Sequence, residues 1–232
     1  MTRLLLIGHG RMGKLVESLA ASHDCKVVAV VTEVSAPDAI AAAADAGVDA
    51  AVDFSLPEAV PANLPKLAAA HVNVVIGTTG WQAHEPALKE AARTAGIGVV
   101  ASANFSIGMS IFRAAVEEAA RRFASQADVG AWIHETHHSA KKDAPSGTAL
   151  MLKAAMERVK YSRPIDVSST RAGSIPGTHV VGFDGLAETV TLTHTVRDRA
   201  VFAHGALEAA KWIKGRTGWF GIEDMIGSGT GR

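Results

Sequence analysis

Cysteine is almost missing from this chain. Cys25 stands alone among 232 residues, so no internal disulfide can form and a fold stapled by bridges is excluded. That usage fits a reducing compartment, with Cys25 expected as a small buried hydrophobe near a strand start. Net charge is missing too: Lys and Arg total 23, as do Asp and Glu. A sequence-independent attraction to nucleic acid or to an anionic membrane therefore has no source. Long apolar runs are absent, because charges interrupt every hydrophobic stretch well before the roughly 18 residues of a membrane-spanning helix. Arg3 and then only Leu4, Leu5, Leu6 and Ile7 before Gly8 make too short an apolar region for a signal peptide. No internal repeat appears, and alanine enrichment at 41–51 is the only compositional bias. The expectation is a soluble, cytoplasmic protein without a nucleic-acid or membrane partner. Its 48% hydrophobic content is enough to bury a sizeable core.

What is present begins with alternation. Residues 3–7 form an apolar run ending in glycine, the pattern of a buried parallel strand. Gly8, His9, Gly10, Arg11, Met12 and Gly13 follow and match G-x-G-x-x-G; a helical pattern through Leu15, Val16, Leu19 and Ala20 leads to a second strand at 26–31. Glu33 lies twenty residues past Gly13, where a dinucleotide-binding unit places the acid that accepts from the ribose. Gly8 permits the tight turn, Gly10 admits a pyrophosphate to the backbone, and Gly13 lets helix pack closely on strand. The helix N-terminus supplies N–H groups and partial positive charge. The strand, helix, second strand and spaced acid together favour cofactor binding; the alternative is a glycine turn in an α/β protein with no nucleotide.

Further helices are expected over 37–46, 57–70 and 83–95, and strands over 50–53, 73–76 and 98–101. Pro61 and Pro65 weaken the middle helix. Such alternation means a parallel sheet whose ligands bind beyond the carboxyl ends of the strands. Asp53 to Ser55, Gly77, Thr78 and Thr79, and Ser102, Ala103, Asn104 and Phe105 all fall on that rim. After Phe105 the texture changes: a long helix over 107–123, a strand over 127–134, a helix over 148–159 with Ser146 as N-cap, and strands over 165–170, 178–183 and 188–196. The last alternates Val190, Leu192 and His194 with threonines, as in a mixed sheet with one covered face. A closing helix spans 201–214. The fold class is α/β, a Rossmann-type parallel sheet domain (1–105 plus 199–232) with an inserted α+β domain (106–198) built on a mixed sheet.

The richest chemistry lies between 134 and 149, with three histidines, two lysines, two carboxylates and a Pro-Ser-Gly-Thr turn. His134, Glu135 and His138 satisfy H-E-x-x-H, the pattern of zinc proteases, which requires both histidines on one helix face. A strand before the motif, a loop after it and Lys141 and Lys142 nearby disfavour that reading, so no metal is expected. Acid–base and anion chemistry fits better: histidine titrates near neutrality, lysine donates, and Gly147 and Thr148 open a helix whose N–H groups suit a carboxylate. His134 reads as a satisfied core histidine and Lys142 as a solvated charge.

Gly8-His-Gly-Arg-Met-Gly13, Asp53-Phe-Ser55, Gly77-Thr-Thr-Gly80, Ala103-Asn-Phe-Ser-Ile-Gly108, His137-His-Ser-Ala-Lys-Lys-Asp-Ala-Pro-Ser-Gly-Thr148 and Phe202-Ala-His-Gly-Ala-Leu207 stand in this order. Together they resemble the 4-hydroxy-tetrahydrodipicolinate reductase (dihydrodipicolinate reductase) family. The resemblance implies reduction of 4-hydroxy-tetrahydrodipicolinate to tetrahydrodipicolinate by NADH or NADPH with loss of water, in the diaminopimelate route to lysine. It implies His137 as proton donor/acceptor, Lys141 as proton donor, and His138, Gly147 and Thr148 as holders of a dicarboxylate substrate. Gly8 to Gly13, Glu33, Gly77 to Thr79 and Ser102 to Phe105 would line the dinucleotide, in a cytoplasmic homotetramer assembled through the inserted domain's sheet.

Two departures bear on the cofactor. Glu33 is only twenty residues from Asp53, where longer relatives insert another stretch. Thr32, Glu33 and Val34 also supply no arginine for a 2′-phosphate, and an acid there favours the free ribose; Arg11 could still reach a phosphate. NADH is expected to serve at least as well as NADPH. The rival readings are another Rossmann dehydrogenase (aspartate or homoserine type), a dinucleotide-sensing module without catalysis, and the metalloprotease.

Overall fold

The computed structural model describes residues 1–32 and 38–227. In chain order the elements are β1 (Thr2–Ile7), α1 (Arg11–Ala20), β2 (Cys25–Val31), α2 (Ala39–Asp45), β3 (Ala50–Asp53), α3 (Val60–Ala69), β4 (Asn73–Ile76), α4 (Glu85–Ala95) and β5 (Gly98–Ala101). They continue with α5 (Ile107–Phe123), β6 (Gly130–His137), α6 (Gly147–Arg158), β7 (Ile165–Arg171), β8 (Thr178–Asp184), β9 (Thr189–Thr195), α7 (Ala200–Trp212), β10 (Gly218–Phe220) and α8 (Ile222–Gly227). The chain divides into two compact units, Met1–Ile107 with Ala200–Arg232, and Gly108–Arg199.

The first unit is a six-stranded parallel sheet in the order β10-β5-β4-β3-β1-β2. Leu4, Leu5 and Leu6 are fully buried, because one apolar cluster covers each face of the sheet. A strand that is apolar at consecutive positions is only stable when covered on both sides, and each such leucine contributes about 1.5–3 kcal/mol relative to an exposed one. Cys25 opens β2 and is buried there, and burial pushes its thiol pKa up. α3 starts at Val60, three residues later than the sequence pattern suggests, since residues 57–59 form turns. Pro61 sits in its first turn, where no N–H is needed, while Pro65 is accommodated inside. β10 is a sixth strand beyond the closing helix, where the sequence pattern predicts no element.

The second unit carries a four-stranded mixed sheet in the order β7-β6-β8-β9, with β6 parallel to β7 and antiparallel to β8. Its core packs Met109, Phe112 and Val116 of α5 and Leu152 and Met156 of α6 on Ile133, Val181 and Phe183. Arg163 closes the end of α5, donating from Nη2 to the Phe123 carbonyl (2.8 Å) and from Nε to Val129 (2.7 Å) while stacking on Tyr161. β6 begins at Gly130 and runs through His137, so the expected strand shifts three residues along the chain. That shift places Glu135 and His137 within the strand.

Candidate active site

On the first unit, every loop that the sequence places on the rim follows a strand's carboxyl end. The β1–α1 turn is glycine-dependent in detail. Gly8 has φ +86°, and a methyl group on it would fall 2.5 Å from the Phe54 carbonyl oxygen; one on Gly13 would collide with the Gly8 carbonyl. Gly10 differs: nothing stands within 4 Å of where its Cβ would be. It caps α1 without a side-chain hydrogen bond, and no acid occupies the first turn, so the N–H groups face an open cradle suited to an anion. A cavity of about 620 Å³ opens there, lined by Gly8, His9, Gly10, Thr32, Phe54 and Ser55 among others. These residues fit a pyrophosphate. Arg11 is exposed at the loop, Met12 packs against the core, and His9 pairs with Glu17 at 2.7 Å. Glu33 lies outside the described residues.

The other rim loops are braced from beneath. Asp53 is buried and accepts from the Ser55 N–H (2.9 Å), the Ser55 hydroxyl (2.5 Å), Asn63 Nδ2 (3.2 Å) and the Thr78 hydroxyl (3.1 Å). Thr78 thus spends its side chain holding two loops together. Ser102 donates to the Asn104 carbonyl (2.9 Å), and Asn104 Oδ1 accepts from the Ser106 N–H (2.9 Å), which stiffens the loop containing Ala103. Phe105 is buried in the core, edge-on to Phe54, and so offers this rim its backbone rather than its ring.

On the second unit, strand periodicity builds the site. Ala131, Ile133, Glu135 and His137 alternate onto the covered face of β6. Glu135 and His137 are therefore side by side, and His137 Nδ1 donates to Glu135 Oε2. The parallel register sets Arg171 of β7 opposite His137, and its guanidinium forks onto Glu135, at 2.6 Å to Oε1 and 3.0 Å to Oε2. Burial alone would raise the Glu135 carboxyl, but Arg171, Ser169 and His137 together bring its pKa down to about 2. His179 of β8 stands opposite Glu135, edge-on to His137 with centroids 5.1 Å apart, and its Nε2 lies 3.3 Å from the Ser146 hydroxyl. Burial, and then the neighbouring His137, lowers its pKa to about 4. His137 is lowered as well, since burial outweighs the pull of Glu135.

The loop beyond His137 brings the remaining residues. Lys141 Nζ reaches Asp143 at 2.7 Å, which holds the Asp143 carboxyl below its ordinary range, with help from the Gly147 N–H. Arg199 Nη2 lies 3.5 Å from His138 Nε2. Gly147 and Thr148 form the first turn of α6 behind the Ser146 cap, whose hydroxyl accepts from Ala149 N–H. His134 points to the opposite face of the sheet, 2.8 Å from the Ser168 hydroxyl, and Lys142 is exposed. The one-sided helix that H-E-x-x-H needs is a strand here, with His134 and Glu135 on opposite faces. Among the described residues, Glu135, His137 and His179 bring ligand atoms within 4.8 Å of one another. Both Glu135 oxygens are already engaged by Arg171, and one also by His137.

Sequence reasoning passes over Arg171, His179 and Arg199, and treats Glu135 only as part of a zinc motif. An available signal was the Glu135-Thr136-His137 spacing, which shares a face if the strand continues. Arg171 and His179 depend on register, which one sequence does not disclose.

A parallel-sheet unit with a glycine-loop anion cradle, joined to a unit holding a histidine–lysine–arginine cluster, defines a nicotinamide-nucleotide-dependent oxidoreductase of Rossmann type. Solved structures agree in fold. A dipicolinate-bound dihydrodipicolinate reductase from Paenisporosarcina sp. TG-14 superposes with TM-score 0.84, covering 97% of this chain and 99% of its own at 22% identity. A probable dehydrogenase from Thermotoga maritima covers 96% and 92% at TM-score 0.63 and 12% identity. The family profile Dihydrodipicolinate reductase, N-terminus, matches residues 2–105, and Dihydrodipicolinate reductase, C-terminus, matches 108–226. The 4-hydroxy-tetrahydrodipicolinate reductase of Stenotrophomonas maltophilia is 39% identical over 97% of both chains. That of Methanosarcina barkeri is 35% identical over 71% of this chain and 68% of its own. The chain belongs to the dihydrodipicolinate reductase family.

Proposed function

We propose that this protein reduces 4-hydroxy-tetrahydrodipicolinate to tetrahydrodipicolinate in lysine biosynthesis by the diaminopimelate pathway. In the net reaction one hydride replaces the hydroxyl on the ring, and the hydroxyl takes up one proton and departs as water. The observation that carries this reading is the cluster around His137, on a chain whose family is defined by that reaction. NADH or NADPH supplies the hydride when bound to the first unit. His137 exchanges a proton at Nε2, the nitrogen left over once Nδ1 is bonded to Glu135. Lys141 donates a proton, and its pairing with Asp143 keeps the ammonium in the loop until substrate competes for it. His138, the Gly147 N–H and the Thr148 hydroxyl receive the carboxylates of a small dicarboxylate.

Residues 1–105 and 199–232 serve as the dinucleotide domain, with Gly8 to Gly13, Glu33, Gly77 to Thr79 and Ser102 to Phe105 at the cofactor; residues 106–198 bind substrate and assemble a homotetramer. The sheet face supports assembly: Trp132, His134 and Thr136 are half-buried there and Thr189, Thr191, Thr193 and Thr195 are exposed, a face that a second copy could cover. A cytoplasmic setting agrees with the lone, buried Cys25, and no helix among the described residues is long and apolar enough to cross a membrane. NADH serves at least as well as NADPH. Loss of nicotinamide absorbance with freshly made 4-hydroxy-tetrahydrodipicolinate, and not with amino-acid semialdehydes, tests the reaction. Consumption with semialdehydes alone would transfer the protein to the aspartate or homoserine dehydrogenase class.

A further inference from the structure

We infer that Glu135 is a positioning residue that fixes the tautomer of His137, and that Arg171 keeps Glu135 fit for that role. The inference rests on His137 being the proton-exchanging group proposed above. The Glu135 side chain is fully buried, and both oxygens accept hydrogen bonds: Oε1 from Arg171 Nη2 (2.6 Å) and the Ser146 N–H (3.2 Å), Oε2 from Arg171 Nη1 (3.0 Å) and His137 Nδ1. A carboxylate forked by a guanidinium stays ionised and can only accept. Nδ1 must then be the protonated nitrogen of a neutral ring, which leaves Nε2 to gain and lose the proton.

The surroundings agree. A methyl group at Gly177 would stand 3.0 Å from His137 Nε2, so a glycine at this position avoids crowding that edge of the ring. The titratable groups facing the ring are Glu135 on β6, Arg171 on β7, His179 on β8 and Lys141 in the following loop. His179, with a pKa near 4, remains neutral beside His137 and does not compete for its proton. Because burial lowers His137 itself, the free protein holds a neutral ring around pH 7.5, and which nitrogen carries the hydrogen decides whether Nε2 can work. The arrangement is a consequence of strand geometry: a two-residue spacing puts acid and imidazole on one face, and the parallel register adds the arginine.

Ring-selective ¹⁵N spectroscopy of His137 in the wild-type protein at about pH 7.5 tests the inference without any substitution. The expected result is a protonated Nδ1 and a bare Nε2; a ring protonated at Nε2 overturns it. Glu135→Gln, checked for folding by circular dichroism, should lose that tautomer preference. Its kcat should fall on the order of 10²-fold, with KM for substrate within about threefold. Glu135 raises the His137 pKa, so the acid limb of the kcat profile should also move to lower pH in the variant. Arg171→Lys, which keeps charge but loses the fork, should fall between the two. A Gln variant with wild-type kcat and pH profile overturns the positioning role. Unchanged turnover in His137→Gln instead overturns the underlying reading, whatever the ring spectrum shows.

Discussion

The Lys141 ammonium lies 2.7 Å from the Asp143 carboxylate, two residues further along the same loop. The pair is partly in solvent, so it contributes little to stability, but under the proposed function it holds the proton donor in the loop that follows His137. Lys141→Ala should therefore cost about 10²–10⁴ in turnover, the range for removing a general acid, with the melting temperature nearly unchanged. Steady-state kinetics beside a thermal melt checks this. Wild-type turnover would remove lysine from the mechanism.

The glycine loop separates into a structural position and a binding position. Gly13→Ala drives a methyl into the Gly8 carbonyl and should destabilise the first unit visibly, by about 1–3 kcal/mol. Gly10→Ala meets nothing within 4 Å and has an ordinary φ of −74°, so the fold should stand within about 0.5 kcal/mol of wild type. Its methyl should instead intrude on the phosphates and raise the dinucleotide Kd. Equal losses of stability in the two variants would contradict the cradle.

Acid should weaken the second unit in two steps. His179 has a folded pKa near 4, below its ordinary 6.5, so the unfolded chain binds more protons between those values. The associated stability is present above pH 6.5 and is lost as pH falls to about 4. Glu135, lowered from 4.5 to about 2, likewise stabilises above pH 4.5 and loses its contribution on the way to 2, roughly 3 kcal/mol in all. Urea midpoints measured from pH 7 to pH 3 should fall in both windows, and His179→Phe should make the upper one shallower, leaving the part that the lowered His137 contributes. A midpoint constant from pH 7 to 4.5 in the wild type would refute the buried neutral His179.

Much of this was legible in the chain. The run Leu4 to Ile7 into Gly8 reads correctly because a strand buried on both faces shows its apolarity at every position, and the helix cap at Ser146 reads correctly because capping is local. The Glu135–His137 pair was hidden by ending the strand at His134: polar residues on a covered face look like a loop until their partners are known. Arg171 supplies that partner from a strand thirty-six residues away, through register alone. β10 escaped notice since three residues, Gly218 to Phe220, carry no period of their own; pairing with β5 makes them a strand, where Trp219 packs edge-on to Trp81.

The proposed cofactor preference rests on the sequence at the expected ribose position, an acid at Glu33 and no arginine at Thr32 or Val34. KM for NADH should be no higher than for NADPH. A KM for NADPH about tenfold lower, roughly 1.4 kcal/mol in favour of the 2′-phosphate, would assign Arg11 that phosphate instead.

The most direct test of the reductase assignment follows the hydride itself. With 4-deuterated NADH or NADPH of the matching face and 4-hydroxy-tetrahydrodipicolinate, the tetrahydrodipicolinate formed should carry one deuterium on the ring carbon that bore the hydroxyl, in step with nicotinamide oxidation. Nicotinamide left reduced in the presence of that substrate, or product without deuterium, would contradict it.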